Sequence, residues 1–507
     1  MNKLSKEIEE GNIEYKRDLL QIDEERKYHL SSQMKWRIAE GNGKAYYYIG
    51  INDDGSIYGL DSKELNLSIK TLKQITKIIN VNIVNIEKIK VILNNEKKKI
   101  KFYAIIIVEN ILKQKNIKVA FIGGSQNGKT TTINVLINNV SDNGKGLARL
   151  TLFNHKHEII NGKTSSIASK LLGYKNGICI NNICISNNDI IRNSDKIINL
   201  IDYPGSLKYS KTIFSKILTM YPDTFIITIN PFKTNFDILK FYLNYCKINN
   251  IYFLVLFTHS DIKKYSKKIL NIINFFKNNK INLINYNNLN IKIDIKIHYY
   301  ICISNITKDN YSYFKDYINK VSNINFNFDK SLNKENKEIQ IIQKYSNYEL
   351  GTTFSAYILN GQFNKNDILY IRNNNEWNKI ELKSLHMNQN EYTTIEKNNI
   401  IGIMFDVLEK NIRLEKPTLI VDNTESYNTI NKINFKVIFK SYKNLNLKKD
   451  IQIIIYIRNY IIISKLLKFN KDDLIVELNN DIIVNKEDTI IFKINKIYGL
   501  GKINKNI

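Results

Sequence analysis

The sequence predicts a multidomain α/β plus all-β chain. It reads as an N-terminal α+β domain, a P-loop domain with a largely parallel sheet, and two C-terminal β-barrels. Three observations carry that expectation. Gly123-Gly124-Ser125-Gln126-Asn127-Gly128-Lys129-Thr130 matches G-x-x-x-x-G-K-[ST] in full, between an apolar run and a helix start. Residues 113–325 alternate apolar runs with helical patterns, and the runs end in polar loops at Ile122, Ile201, Ile229, Phe257 and Ile303. Past residue 338 the pattern becomes short apolar runs separated by Asn, Gly and Lys turns, which is all-β spacing. A chain of 507 residues is also too long for one ordinary core.

Residues 1–112 form the first unit. Ser31-Ser32 is placed to cap a helix through Met34-Lys35-Trp36-Arg37. A hairpin is expected next, with residues 45–52 as one strand and Asp53-Asp54-Gly55 as its turn. Leu65, Ile69, Leu72, Ile75 and Ile79 recur on one face of a helix over 62–79. Two further strands flank residues 94–99, and no catalytic constellation is visible in this unit.

In residues 113–325 the chemistry begins at the glycine loop. Residues 117–122 read as a buried strand and residues 131–137, from Thr131, as the start of a helix. The glycines let backbone N–H groups turn inward around a β-phosphate, and the helix N-terminus adds partial positive charge there. Lys129 is expected to reach the β- and γ-phosphates, and the Thr130 hydroxyl to bind Mg²⁺. The ligand class is a nucleoside triphosphate.

Three later elements, each at a strand end, address which nucleotide. Residues 196–201 lead into Asp202-Tyr203-Pro204-Gly205, a D-x-x-G element followed by Ser206. Its carboxylate can hold Mg²⁺ through water and the Gly205 N–H can sense a γ-phosphate. Residues 251–257 lead into Thr258-His259-Ser260-Asp261, where [NT]-K-x-D would read guanine. Thr258 and Asp261 fit, and His259 replaces Lys. Asp261 can accept both N–H groups of the guanine edge, which adenine does not offer; an imidazole can stack where the Lys stem would pack. Residues 301–303 lead into Ser304-Asn305, placed to close over the guanine O6. An ordinary turn would account for each element singly. Their order, each on a strand end, points to guanine nucleotide, GTP or GDP, with Mg²⁺ as cofactor. Residues 113–325 are then a GTP-binding (G) domain.

Residues 326–338 are polar and read as a linker, followed by barrels over 339–421 and 422–507 with no catalytic motif. Hydrophobic content of 43% and charged content of 24% are globular values. The net charge of +27 favours RNA, ribosomes or anionic membranes, although the chain is crowded with Asn, Ile, Lys and Tyr, so much of its Lys can be plain solvated surface. The four cysteines, Cys179, Cys184, Cys246 and Cys302, form no C-x-x-C. A zinc site from Cys179, Cys184, His155 and His157 fits no closed-site spacing, so reduced, buried thiols are expected. The first residues lack an apolar h-region, so no signal peptide is expected; no apolar run is long enough for a transmembrane segment, and no DNA-specific motif occurs.

At the site residues the chain resembles the GTP-binding protein 1 family of translation-factor-like GTPases, which are similar to elongation factor Tu. Residues 142–149, 152–159 and 162–166 resemble that family's long first switch, and Thr164 falls on the threonine that closes on Mg²⁺ in the GTP state. Ser32-Gln33-Met34-Lys35-Trp36-Arg37 resembles the family's N-terminal domain. Residues 361–369 are similar to the barrel turn of translation-factor domain II, and Gly499-Leu500-Gly501-Lys502-Ile503 to the end of domain III. The resemblance runs from about residue 13 onward. It implies a GTP-driven switch in translation or RNA metabolism, with Lys129, Thr164 and Gly205 in catalysis and Thr130, Thr164 and Asp202 at Mg²⁺. It also implies barrels that contact ribosome, tRNA or other RNA, and a cytoplasmic monomer. Three positions depart from the family. Ser206 stands where a water-orienting His is usual, Gln126 where translation-factor GTPases carry an Asp linked to a monovalent cation, and His259 where Lys is usual. Ser206 and Gln126 predict a GTPase of low intrinsic activity or, alternatively, a GTP-binding module with very slow or absent hydrolysis, and His259 predicts weaker guanine affinity. A P-loop ATPase fits residues 258–261 poorly.

Overall fold

The computed structural model describes residues 4–8, 10–41, 44–79, 81–93, 99–110, 115–144, 146, 166–181, 186–324, 331, 334–347, 351–387, 390–392, 394–408, 414–441, 450–470, 473–486 and 488–506. The chain divides into two units, Met1–Gln114 and Lys115–Ile507.

The first unit is a four-stranded sheet in the order Ile13–Lys16, Lys44–Ile49, Lys99–Asn110, Val81–Leu93, with the first pair parallel and the others antiparallel. Helices Glu24–Glu40 and Ser62–Ile78 close one core over it, joining Met34, Ile38, Leu65 and Leu72 to Tyr47, Ala104 and Ile106. The second helix begins at a full capping box, Asp61 with Glu64. Its buried face contains Leu65, Ile69, Leu72 and Ile75, the stripe read from periodicity, while Ile79 is the C-cap. The first helix starts earlier than expected. The Asp23 carboxylate accepts the Arg26 N–H at 2.7 Å, so Asp23 is the cap. Ser31 and Ser32 lie in mid-helix, where both hydroxyls donate to the Tyr28 carbonyl. The expected hairpin is a tight turn at residues 52–56 whose return arm is a single bridge, Ile51 to Ile57; Lys44–Ile49 pairs instead with its distant neighbours.

In the second unit an eight-stranded sheet runs Leu283–Asn285, His298–Cys302, Phe253–Phe257, Thr224–Ile229, Lys115–Ile122, Lys196–Asp202, Ala168–Lys175, Ile178–Cys179. The first six are parallel, and the last two are antiparallel additions at one edge. Every residue of Thr224–Ile229 and Phe253–Phe257 is buried, as a strand covered on both faces requires. One face packs Phe121, Ile133, Leu256 and Phe314; the other packs Ile201, Tyr203, Phe214, Phe225 and Phe241.

Two closed six-stranded barrels follow. The first runs from Glu338–Asn347 to Pro417–Val421 and closes by pairing Ile368–Asn373 with Glu376–Met387. Its turn at Gly361 needs a glycine: φ is +86, a left-handed value. The second closes by pairing Ile430–Lys440 with Ile497–Asn506. There a Cβ at Gly501 would stand 2.6 Å from the Lys436 carbonyl oxygen, which explains the small residue in the terminal Gly-Leu-Gly.

Helix Ser210–Thr219 and its exit touch both barrels, while Phe241 of helix Phe236–Ile248 packs on Phe439 and Tyr498 and Lys118 donates to the Asn398 carbonyl. Phe214 packs edge-on to Tyr456 of the second barrel at 5.5 Å, and Lys493 donates to the Ser210 hydroxyl at 3.0 Å. Lys216 donates to Gln343 Oε1 at 2.8 Å and the Tyr221 hydroxyl to Gln340 Oε1 at 2.9 Å, both in the first barrel. Burial lowers the Lys216 ammonium to about 8.

Candidate nucleotide site

The parallel strands deliver their loops to one edge of the sheet, and four of these loops meet there. The strand Lys115–Ile122 opens into the glycine loop at Gly123 (φ +141) and re-enters helix Lys129–Asn138 through Gly128 (φ +82). Gly128 is the N-cap and makes no side-chain cap, so the first turn of that helix presents its N–H groups to the loop interior. Gln126 at φ +64 is the left-handed residue that lets consecutive N–H groups converge as an anion nest.

Lys129 curls back into the loop. Its Nζ donates to the carbonyls of Gly123 at 3.0 Å and Gly124 at 2.9 Å. Burial lowers the ammonium to about 8, and the Asp202 carboxylate opposes that shift. The Thr130 hydroxyl donates to Asp202 Oδ2 at 2.5 Å, and Asp202 is 1% exposed. A hydroxyl and a carboxylate side by side, at the start of helix Lys129–Asn138, are the hard oxygen donors Mg²⁺ selects. The residues fit that ion.

Gly205 lies against the loop. A Cβ there would sit 2.6 Å from both the Gly124 carbonyl oxygen and Lys129 Nζ, so only glycine permits this approach. Ser206 follows as cap of the short turn Leu207–Tyr209, its Oγ accepting the Lys208 N–H at 3.4 Å. Tyr203 points away from the ligand side: it is fully buried, and its hydroxyl donates to the Lys216 carbonyl at 3.2 Å. Pro204 is buried as well.

The base side is tied to the phosphate side. The Thr258 hydroxyl donates to the Asn127 carbonyl at 3.1 Å, and Asn127 Nδ2 donates to the Thr228 carbonyl at 2.8 Å. His259 adopts φ +66 with Nδ1 2.8 Å from the Thr258 hydroxyl; burial lowers its pKa, Asp261 opposes that, and Lys233 adds to it. The Ser260 N–H donates to the Ile303 carbonyl at 3.1 Å, which seats the Asp261 loop on the Ser304 loop. Asp261 is exposed, its carboxylate open to a ligand. Ser304 is fully buried and orders its loop by accepting the N–H groups of Ile306 and Thr307. Asn305 takes hydroxyl donors from Thr132 at 3.1 Å and Tyr311 at 2.5 Å. The Asn305 carbonyl accepts the Asp142 N–H at 2.9 Å, so the segment expected to begin the first switch is anchored at the base loop.

The structure thus brings Lys129, Thr130, Asp202, Gly205, Thr258, Asp261 and Asn305 to one edge. Ser125 and Thr131 lie in the loop and the first turn of its helix. Thr164 lies outside the described residues, as do His155, His157 and Cys184 of the considered zinc set. Cys179 lies 3.9 Å from Asn181 Oδ1, Cys246 is buried and Cys302 half-buried. Among the described residues no cluster of His, Cys, Asp and Glu is arranged for a metal ion, and no helix is long and apolar enough to cross a membrane. Three residues absent from the sequence reading join the site: Tyr311, Asn230 and Lys233. Asn230 immediately follows a strand end that was legible, Ile229, and Lys233 lies three residues further on; that position was the available signal.

The comparisons with known proteins point the same way. No family model matches the chain. It is 35% identical to human GTP-binding protein 2 over 230 residues, which are 45% of this chain and 38% of that protein. To GTP-binding protein 1 of Xenopus laevis it is 27% identical over 379 residues, 70% of this chain and 56% of that one. The chain therefore spans less than two thirds of either relative. Among solved structures it is similar to a bacterial selenocysteine-specific elongation factor, EF-Sec, at a TM-score of 0.55 and 15% identity, over 77% of this chain and 58% of that one. The parallel-sheet domain and the two six-stranded barrels thus have the fold of an elongation factor.

Proposed function

We propose that this chain binds GTP and GDP with Mg²⁺ and acts as a translation-factor-like switch of slow intrinsic turnover. One observation carries the reading: the phosphate loop, the Asp202–Gly205 turn, the Thr258–Asp261 loop and the Ser304–Asn305 loop converge on a single sheet edge and are hydrogen-bonded to one another. The curated relatives named GTP-binding proteins support it. In the bound state Lys129 would exchange its two carbonyl partners for phosphate oxygens. Thr130 and Asp202 would hold Mg²⁺, Thr164 would close on it, and the ion would balance phosphate charge. Asp261 would accept the two guanine N–H groups.

Two local arrangements favour slow hydrolysis. Ser206 is short and its hydroxyl faces its own backbone, so it does not present a base to an attacking water. Gln126 is engaged by Lys233. Single-turnover assays test the reading. GTP should displace bound GDP with ATP ineffective at equal concentration, and Lys129→Ala should abolish binding. Ser206→His should raise the hydrolysis rate about tenfold or more, within the ordinary range for a positioned acid–base group. Displacement by ATP would reject guanine specificity; tight GTP binding with no product, with or without ribosomes, would leave a pure binding module. The net charge of +27 and the two barrels support RNA, tRNA or the ribosome as partner, with the chain acting as a cytoplasmic monomer.

A further inference from the structure

The loop after strand Thr224–Ile229 carries a cation that the four site elements leave unexplained. Asn230 builds the turn: its carbonyl accepts the Lys233 N–H at 3.0 Å and the Thr234 hydroxyl at 3.0 Å, and its Oδ1 accepts the Phe232 N–H at 3.0 Å. Its Nδ2 reaches the Gln126 carbonyl at 3.4 Å. That turn sends Lys233 back across the phosphate loop, where Nζ donates to Gln126 Oε1 at 2.8 Å. His259, on the loop after Phe253–Phe257, lies within its electrostatic reach, and the same ammonium favours the neutral imidazole. Lys233 is exposed, and among the described residues no carboxylate forms an ion pair with it. The ammonium therefore stands on the glycine loop, within electrostatic reach of the loop that carries His259 and Asp261. A nucleotide held by both loops would bring its α- and β-phosphates near that charge.

The anchor is as telling as the cation. An amide oxygen takes one of the three ammonium donors and leaves two for a ligand, without cancelling the charge. A carboxylate at position 126 would hold the side chain equally well and neutralise it. We infer that Lys233 is a nucleotide-binding residue whose ammonium pairs with the α- and β-phosphate oxygens, and that Gln126 is its positioning residue. This rests on the guanine-nucleotide reading above.

Fluorescent-GDP titration of the full chain and its variants tests it. Loss of one charge-assisted contact should weaken GDP about tenfold or more in Lys233→Ala, with Lys233→Arg recovering most of the affinity. Gln126→Ala, which unties the cation but keeps it, should cost clearly less. The slope of affinity against salt concentration should be shallower in Lys233→Ala. Equal losses for Lys233→Ala and Gln126→Ala would mean that the bond between the loops matters rather than the cation, and would overturn the inference. So would unchanged affinity in Lys233→Ala at an unchanged melting temperature. A wild-type chain that binds no GDP would sink the nucleotide reading itself, an outcome separate from either of these.

Discussion

Lys129 shows how one buried cation sets the pH range of a site. Burial lowers the ammonium to about 8 in the free protein, while bound phosphates would favour the charged form and raise it. The free state therefore loses its proton at lower pH than the bound state. Affinity for GDP should be flat below about pH 8 and fall by up to about tenfold per pH unit above it. Titrations from about pH 6.5 to about pH 9.5 read that profile, and a flat line throughout would show that Lys129 does not meet the phosphates. Lys129, Thr130 and Asp202 were legible in the sequence because a contiguous motif or a strand end dictates each one's chemistry. Lys233 was not, because its nearness to Gln126 depends on two strands, Lys115–Ile122 and Thr224–Ile229, lying side by side in parallel. Ser31 and Ser32 misled for a local reason. A serine can bond a carbonyl three or four residues back inside a helix as readily as it can cap one, and Asp23 was the better cap upstream.

At the scale of elements, helix Ser210–Thr219 is one joint of the second unit, touching both barrels. It follows the Asp202–Gly205 turn after Ser206 and the short turn Leu207–Tyr209, and its Phe214 fills the seam among Phe241, Tyr456 and Tyr498. Phe214→Ala should therefore destabilise this unit by about 3–5 kcal/mol, the usual cost of emptying an aromatic core position. Chemical denaturation measures it, and a loss below about 1 kcal/mol would show that the seam collapses around the gap. Thr224–Ile229 and Phe253–Phe257, buried on both faces, were readable as nearly unbroken apolar runs, and all five expected strand ends fall within a residue of the observed ones. Barrel closure was harder to read. Ile368–Asn373 meets its hairpin neighbour locally, but Ile430–Lys440 meets Ile497–Asn506 across most of a domain, and no short pattern encodes such a pairing. The hairpin expected after residue 45 failed likewise: a good turn was present, yet distant strands offered Lys44–Ile49 the better partners.

For the molecule as a whole, the net charge of +27 sets the terms of association. If RNA is the partner, affinity for it should fall at least tenfold between about 50 and about 200 mM salt, because condensed counterions are released on binding. Filter binding at graded salt reads this, and salt-insensitive binding would exclude a phosphate-driven interface. The close seat of Gly205 on the phosphate loop has a further consequence through the helix that follows it. If nucleotide state shifts that helix against the barrels, thermodynamic reciprocity applies in both directions. Whatever factor GTP contributes to the affinity of a partner on the barrels, that partner returns to GTP. A macromolecule docked far from the phosphates would then tighten GTP binding without touching the nucleotide, and the protein would need no separate sensor to know that it was engaged.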